Sequence, residues 1–277
     1  MFATALIVFR EVFEAALIVS IVLAAAQGVR YRNYWIGAGI GIGVLGSLLV
    51  AASAEVIANA LEGVGQELFN AGVLLAAVLM LGWHNVWMAR HGRELASQMG
   101  AVGNAVRVGS RPLYALMLAV SLAVLREGSE LVLFLYGVSA AGNSAGMFTG
   151  ALIGLAGGVA VGALLYIGLL RVPTRHLFSV TSFMILLLAA GLAAQAAAFL
   201  SQAGLLPELI STVWDSSALL SEHSPLGEAL HALIGYDEAP SAIQLLFYFC
   251  TLIGMLVLMK LFGKVPAAAK PANNALQ

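Results

Sequence analysis

Residues 2–26 read FATALIVFREVFEAALIVSIVLAAA, an apolar stretch with three charged side chains in its middle. Residues 112–138, PLYALMLAVSLAVLREGSELVLFLYGV, repeat this arrangement. Each stretch is long enough to cross the roughly 30 Å hydrocarbon layer of a bilayer as a helix. Each contains the pattern Arg-Glu-x-x-Glu, at residues 10–14 and 126–130. Because a charged side chain near the bilayer centre costs about 3 kcal/mol on insertion scales, the two motifs are the leading candidates for a functional site.

The composition of the whole chain also indicates a membrane protein. Hydrophobic residues make up 61% of the 277 residues, charged residues make up 10%, and the mean hydropathy is +0.96. That is more apolar surface than a soluble core of this size would bury. The net charge of −1 gives no electrostatic reason to expect a nucleic-acid partner. The single cysteine, Cys250, cannot form an intrachain disulfide.

Seven apolar runs are predicted to cross the bilayer as helices. They are continuously apolar and lack the alternation that is typical of barrel strands. We therefore expect an all-α integral membrane protein with one transmembrane domain at residues 1–265 and a disordered cytoplasmic tail at 266–277. The predicted spans are 2–26, 35–60, 68–88, 112–138, 146–170, 177–203 and 241–262.

The basic residues predict the orientation of these spans. Outside the two motifs, every Lys and Arg lies in the first, third or fifth connection or near the C-terminus. The positive-inside rule places these segments in the cytoplasm, so the N-terminus is predicted to lie outside and the C-terminus inside. The second and sixth connections collect acidic residues, which would concentrate cations at the outer face.

The two motifs belong to an internal repeat. A shift of 116 residues places the first motif on the second, and it also aligns Val8 with Val124 and Leu17 with Leu133. The repeat unit contains three spans, so the first and fourth helices are predicted to run in opposite directions, as in the inverted repeats of secondary transporters. The predicted units are repeat one at 1–111, repeat two at 112–203, an outer loop at 204–240 and a seventh helix at 241–262.

The glutamates of the motifs are candidate metal ligands. Glu11 and Glu14 share one helix face, and Glu127 and Glu130 do the same. Four carboxylates from two facing helices would offer up to eight oxygens, which suits a hard or borderline cation such as iron, manganese, calcium or magnesium.

The arginine of each motif is the expected neutralising partner. Arg10 and Arg126 each stand four residues before the second glutamate of their motif. A guanidinium group can donate two parallel hydrogen bonds to a carboxylate and stays protonated. It therefore lowers the cost of holding like charges together. Two positive and four negative charges leave a net −2, which one divalent cation would neutralise. The alternative, in which each arginine only locks helix packing, would not need two glutamates for each arginine.

With these motifs in the first and fourth of seven predicted spans, the chain resembles the oxidase-dependent iron transporter family, which includes EfeU-type bacterial iron permeases and fungal high-affinity iron permeases. The usual family pattern is R-E-G-L-E, whereas this chain reads R-E-V-F-E and R-E-G-S-E, with the charged positions intact. The resemblance implies a permease rather than an enzyme, located in the plasma membrane, the inner membrane in bacteria. It also implies that iron is the transported substrate, that no cofactor is needed, and that the motif glutamates bind the iron.

Some relatives in this family are described as lead permeases, so another divalent cation such as lead or manganese stays open as the substrate. The resemblance further implies an extracytoplasmic iron donor, namely an oxidase, a peroxidase or a cupredoxin-like protein. Asp215 and Glu222 of the outer loop and Glu55 of the second span are the candidates for the approach path. The loop lacks the fungal D-A-S-E sequence, which leaves the donor open.

The histidines decide between transport and an alternative, an intramembrane di-iron enzyme that uses the same carboxylates. Di-iron sites normally add histidine to the glutamates, and we expect none near either motif, which favours transport. His84 is predicted near the cytoplasmic end of the third span, where Trp83 and Trp87 would act as interfacial anchors. A third hypothesis is a proton-coupled carrier of an organic substrate, with the glutamates as proton relays.

The outer loop contains two further histidines, His223 and His231. Glu228 and His231 have the Glu-x-x-His spacing of di-iron bundles. A single copy on a short amphipathic helix is more often solvated surface, so we expect these side chains to face water.

Overall fold

The computed structural model describes residues 1–60, 66–140, 146–168, 174–207, 209–222 and 224–262. These residues form eight α-helices, and no strand occurs among them. The helices are α1 (Phe2–Ala25), α2 (Arg32–Ala60), α3 (Gln66–Arg107), α4 (Tyr114–Ala140), α5 (Met147–Tyr166), α6 (Thr174–Gln202), α7 (Pro225–Ile234) and α8 (Ala242–Phe262).

Each predicted span corresponds to a helix, and α7 is an additional helix in the predicted outer loop. Five helices contain a segment long and apolar enough to cross a membrane: Arg32–Ser53, Glu67–Met88, Met147–Tyr166, Phe178–Gln202 and Ala242–Phe262. The chain is thus a multi-pass membrane protein. The two other long helices, α1 with 24 residues and α4 with 27, carry the charges of the motifs.

Helix α3 is much longer than predicted. The apolar run ends near residue 88, but the helix continues to Arg107 and is 42 residues long. An apolar run predicts only the part of a helix that lies in lipid. Good helix formers such as Glu, Ala, Gln and Met continue the helix beyond that run. The helix stops just before Gly109, which has a φ of +78°. Glycine adopts this backbone conformation without strain, whereas other residues do not.

The helix pairs form a recurring packing pattern. Helix α1 packs along α5, and α4 packs along α2, so the first helix of each predicted repeat lies against the second helix of the other repeat. Helices α1 and α4 also contact each other and α3. Helix α6 packs on α3, and α8 packs on α6.

Glycines permit the close approach of both pairs. A Cβ added at Gly43 of α2 would lie 2.7 Å from the Val124 Cβ, and one added at Gly154 of α5 would lie 2.8 Å from the Val8 Cβ. Val8 and Val124 are the residues that the 116-residue shift aligns. Small residues at helix contacts let the backbones come this close. The same correspondence recurs one turn away, with Gly39 against Met117 and Val120, and Gly150 against Met1 and Thr4.

The central core lies between α1, α3, α4 and α6. Ile7, Leu74, Phe134 and Ile185 belong to one cluster of buried side chains from these four helices. Helix α6 contributes a run of fully buried alanines, whose small side chains allow its neighbours to approach closely. This core holds α1 and α4 in fixed positions relative to α3.

Helix α7 packs against both α6 and α1. Its N-terminus is capped by Ser224, whose Oγ accepts a hydrogen bond of 3.0 Å from the Gly227 N–H. Its C-terminus ends at Gly235, with φ +70°. The Tyr236 hydroxyl then donates to the Leu220 carbonyl at 2.8 Å, which ties the two ends of the loop together.

We predict that Gly43→Ala destabilises the protein and that Gly41→Ala, two residues away, does not. The added methyl group at Gly43 meets Val124 and the Ser121 carbonyl, whereas nothing lies within 4 Å of a Cβ at Gly41. Overpacking of this kind typically lowers the free energy of unfolding by about 1–3 kcal/mol. Thermal unfolding of the purified variants in detergent checks the difference, and equal stability of the two would contradict the described α2–α4 contact.

Candidate metal site

The two Arg-Glu-x-x-Glu motifs meet in the interior of the helix bundle. Arg10, Glu11 and Glu14 of α1 and Glu127 of α4 are each only 1% exposed. An oxygen from each of Glu11, Glu127 and Glu130 lies within 4.8 Å of the other two. The motif carboxylates from α1 and α4 therefore form one cluster.

The second glutamate of each motif is paired with the arginine of the same helix. The Arg10 Nε donates to Glu14 Oε1 at 3.0 Å, and the Arg126 Nε donates to Glu130 Oε1 at 3.0 Å. Both pairs have the i, i+4 spacing that places side chains side by side on a helix. Each arginine therefore neutralises the second glutamate of its motif.

The first glutamates have a different environment. Both carboxylate oxygens of Glu11 and both of Glu127 are buried and have no hydrogen-bonding partner among the described residues. The closest cation to Glu127 is Arg126, whose Nε is 4.0 Å from Glu127 Oε1. A buried carboxylate without partners is costly unless a charge compensates it, so Glu11 and Glu127 are the groups best placed to bind a cation.

His84 of α3 also belongs to this cluster, so the expectation that no histidine lies near either motif was wrong. Its side chain is 3% exposed, with Nε2 3.7 Å from Glu14 Oε2 and Nδ1 in contact with Glu130 Oε2. A ligand atom from each of Glu11, Glu14 and His84 lies within 4.8 Å of the other two. The signal in the sequence is that His84 is followed by a second polar residue, Asn85, inside an apolar run. The neighbouring tryptophans favour a membrane boundary instead, and that prediction does not reveal the contact with the motifs.

Asn85 shows why this part of α3 is held in place. Its side chain is buried, and its Nδ2 donates to the Ser182 carbonyl of α6 at 3.2 Å. The His84 ring packs edge-on to Phe134 of α4, with ring centroids 6.2 Å apart. These contacts on either side fix the direction in which the imidazole points.

The two motifs differ in their exposure. Arg126 is 31% exposed and Glu130 is 19% exposed, whereas Arg10 and Glu14 are each 1% exposed. Arg126 and Glu130 line a cavity of about 520 Å³ between α3 and α4, together with His84, Trp83 and Trp87. The Arg126 guanidinium carbon lies 4.0 Å from the centre of the Trp87 ring, a cation–π contact. The cluster is thus open on the side of the second motif and enclosed on the side of the first.

The loop candidates do not join the carboxylate cluster. Asp215 is exposed, and hydrogen bonds from the Ser217 side chain and backbone lower the pKa of its carboxyl group, so it is an anion at neutral pH. Glu222 Oε1 lies 3.0 Å from His231 Nδ1. The Glu55 side chain and His223 lie outside the described residues.

The Glu228–His231 pair does not behave as expected. Glu228 is exposed, in agreement with the prediction, but His231 is partly buried. Its Nε2 lies 2.6 Å from the side-chain amide of Gln195 in α6, and its Nδ1 lies 2.7 Å from the Tyr236 carbonyl oxygen. His231 therefore fastens α7 to α6, and residue spacing alone could not distinguish the packed face of this short helix from its solvated face.

We predict that Arg10→Met strongly destabilises the protein, because it leaves the buried Glu14 without its partner. Breaking a buried ion pair from one side costs about 3–5 kcal/mol, whereas replacing both partners with apolar residues is often neutral. The double variant Arg10→Met/Glu14→Met should therefore recover most of the lost stability. Thermal unfolding in detergent measures both, with Arg107→Met at the exposed end of α3 as control. If Arg10→Met were as stable as Arg107→Met, the result would contradict the buried pair of Arg10 and Glu14.

The chain is similar to iron permeases over nearly its whole length. The model of the iron permease FTR1 family matches residues 1–268. The ferrous iron permease EfeU of Shigella sonnei (strain Ss046) is 37% identical over 276 residues, which cover 97% of this chain and 99% of that protein. The ferrous iron permease EfeU of Yersinia pestis is 34% identical over 283 residues, which cover 99% of this chain and all of that protein. No solved structure matches the chain.

The family match spans nearly the whole chain, and the relatives have almost the same length. The charged positions of both motifs lie within the matched region. The chain belongs to the iron permease FTR1 family, a family of transporters rather than enzymes.

Proposed function

We propose that this protein imports iron across the plasma membrane, with the ion bound between the motif glutamates Glu11, Glu14, Glu127 and Glu130. The observation that carries the proposal is the meeting of the two motifs. Oxygens of Glu11, Glu127 and Glu130 approach within 4.8 Å of one another, and both oxygens of Glu11 and of Glu127 have no hydrogen-bonding partner among the described residues. The name of the EfeU relatives, ferrous iron permease, supports iron as the substrate.

The membrane arrangement proposed is two inverted three-helix repeats, α1–α3 and α4–α6, followed by α8 as the seventh span. The N-terminus lies outside and the C-terminus in the cytoplasm. The reciprocal packing of α1 on α5 and of α4 on α2 supports this arrangement. So does the correspondence between Gly43 against Val124 and Gly154 against Val8. Helices α1 and α4 can bear their charges within lipid because Arg10, Glu11, Glu14 and Glu127 are buried and the partly exposed Arg126 and Glu130 are paired with each other.

The two glutamates of each motif have separate roles in this proposal. Glu11 and Glu127 supply free oxygens to the ion, while Glu14 and Glu130 each keep one oxygen on an arginine and turn the other toward the cluster. Four carboxylates and two guanidinium groups carry a net −2. A divalent ion brings the cluster to neutrality, which offsets its own loss of hydration.

The cavity between α3 and α4 is the proposed path on the cytoplasmic side. Helix α3 continues from this cavity to its basic end at Arg107, which the positive-inside rule places in the cytoplasm. An ion leaving the cluster by this path passes Glu130 and then the Arg126–Trp87 stack. The guanidinium group repels a cation at this point, so release requires the stack to shift.

On the opposite side, Asp215 and Glu222 are the proposed first contacts for iron arriving from a donor protein of the oxidase, peroxidase or cupredoxin class. Asp215 is exposed and ionised, as such a role requires. Glu222 is partly exposed beside His231.

Family membership argues against a di-iron enzyme. His84 supplies the histidine that a di-iron site normally contains, but the chain belongs to a family of permeases. Lead and manganese stay as alternative substrates, because carboxylate oxygens serve them too.

We predict that Glu11→Gln and Glu127→Gln each reduce the uptake of radioactive Fe²⁺ into proteoliposomes by about 10- to 100-fold. Each change replaces a charged ligand by a neutral side chain of nearly the same shape. Glu14→Ala and Glu130→Ala should abolish uptake. The control is Glu94→Gln on the exposed part of α3, which should transport normally. Normal uptake by either glutamine variant would refute the site. Competition by Mn²⁺ and Pb²⁺ in the same assay tests the choice of metal.

We predict that Asp215→Asn raises the KM for Fe²⁺ by about two- to threefold and leaves the maximal rate unchanged, because it weakens only the local attraction of cations. The effect should disappear at high salt, which screens exposed charges. Glu228→Gln, an exposed acid on α7, is the matched control. A lower maximal rate with an unchanged KM would argue against this role.

A further inference from the structure

The imidazole of His84 lies between the two motif helices in a position that helix packing alone does not require. Its ring nitrogens face carboxylate oxygens from different helices, Glu14 of α1 and Glu130 of α4. Apart from these carboxylates, neither nitrogen has a hydrogen-bonding partner among the described residues. Both ring nitrogens are therefore directed at the carboxylate cluster and not at the backbone of a neighbouring helix.

We infer that His84 is a ligand of the transported ion, a nitrogen donor from a third helix that makes the carboxylate cluster selective for iron over calcium and magnesium. This inference rests on the proposed function of the cluster. Ligand atoms of Glu11, Glu14 and His84 already lie within 4.8 Å of one another, and the Glu11 oxygens are free. An ion held by these groups would therefore take one nitrogen as well as oxygens.

The two ring nitrogens have distinct surroundings. Nδ1 contacts Glu130 Oε2, while Nε2 is directed toward Glu14 Oε2 at 3.7 Å. Metal-binding histidines almost always donate their other N–H to a carboxylate, carbonyl or water, which sets the tautomer and the ring orientation. Glu130 is placed for that function, so Nε2 is the nitrogen that would bind the ion.

The surroundings of the ring favour a fixed ligand. Phe134 packs edge-on to the imidazole, and the neighbouring Asn85 anchors α3 to α6 through the Ser182 carbonyl. A ligand that is held in place by packing loses little freedom when the ion binds.

The chemical consequence is selectivity. Ca²⁺ and Mg²⁺ are bound almost entirely by oxygen, whereas imidazole is a good ligand for iron and later transition metals. Four carboxylates alone would bind calcium and magnesium as well as iron. One imidazole in the set shifts the preference toward Fe²⁺ and against the more abundant hard cations.

Pulsed electron paramagnetic resonance of the purified protein loaded with Mn²⁺ tests this assignment, because it detects the ¹⁴N nucleus of a coordinated imidazole. We expect nitrogen coupling in the wild-type protein and its loss in His84→Asn. A variant that retains His84 but replaces the four other histidines should keep the coupling, and it leaves the carboxylate cluster untouched. The other histidines are His91, His176, His223 and His231. Absence of nitrogen coupling in the wild type, or its loss in this second variant, would overturn the inference.

Transport provides the second readout. In proteoliposomes, His84→Glu should lower Fe²⁺ uptake and let Ca²⁺ and Mg²⁺ compete about tenfold more effectively with the uptake that remains, since the ligand set then contains only oxygen. Unchanged competition would refute the role of His84 in selectivity, and it would leave the proposed site intact if Glu11→Gln still reduced uptake by about 10- to 100-fold. If Glu11→Gln and Glu127→Gln transported normally, the proposed site itself would fail, whatever the behaviour of His84.

Discussion

The structure must accommodate four carboxylates inside an apolar helix bundle, three of them buried and the fourth, Glu130, partly exposed. Charges at such depth are stable only when opposite charges or ions compensate them. The chain supplies half of that compensation itself, through Arg10 with Glu14 and Arg126 with Glu130, each at 3.0 Å. The remaining charge belongs to glutamates whose oxygens have no hydrogen-bonding partner among the described residues. A cation between the two motif helices would therefore compensate a negative charge that the protein itself leaves uncompensated.

Helix packing keeps these charges in register. Each motif helix rests on glycines of a helix from the other repeat, at Gly43 against Val124 and at Gly154 against Val8. Because both contacts leave almost no space for a side chain, α1 and α4 have little freedom to slide. The core between α1, α3, α4 and α6 then directs the charged faces of both helices inward. The position of the carboxylates thus depends on contacts made by residues that carry no charge.

Much of this arrangement could be predicted from the sequence, because bilayer thickness imposes a length on every apolar run. The helices and the meeting of Glu11 with Glu127 and Glu130 followed from the spans and the repeated motif. The place of His84 did not, because the apolar run of α3 does not show which of its polar side chains meets Glu14 of α1 and Glu130 of α4. The packing of His231 on Gln195 was also missed, since the sequence does not show which side of α7 meets another helix. Both errors concern contacts between helices, which no single helix encodes.

Helix α7 lies where the repeat would predict an opening. His84 and Gln195 are separated by 111 residues, the same offset that relates Gly43 to Gly154. If the two halves correspond, the cavity between α3 and α4 has its counterpart between α6 and α1, the two helices against which α7 packs. In the proposed repeat, the ten residues of α7, held to α6 by the contact between His231 and Gln195, would cover the side of the cluster opposite the cavity.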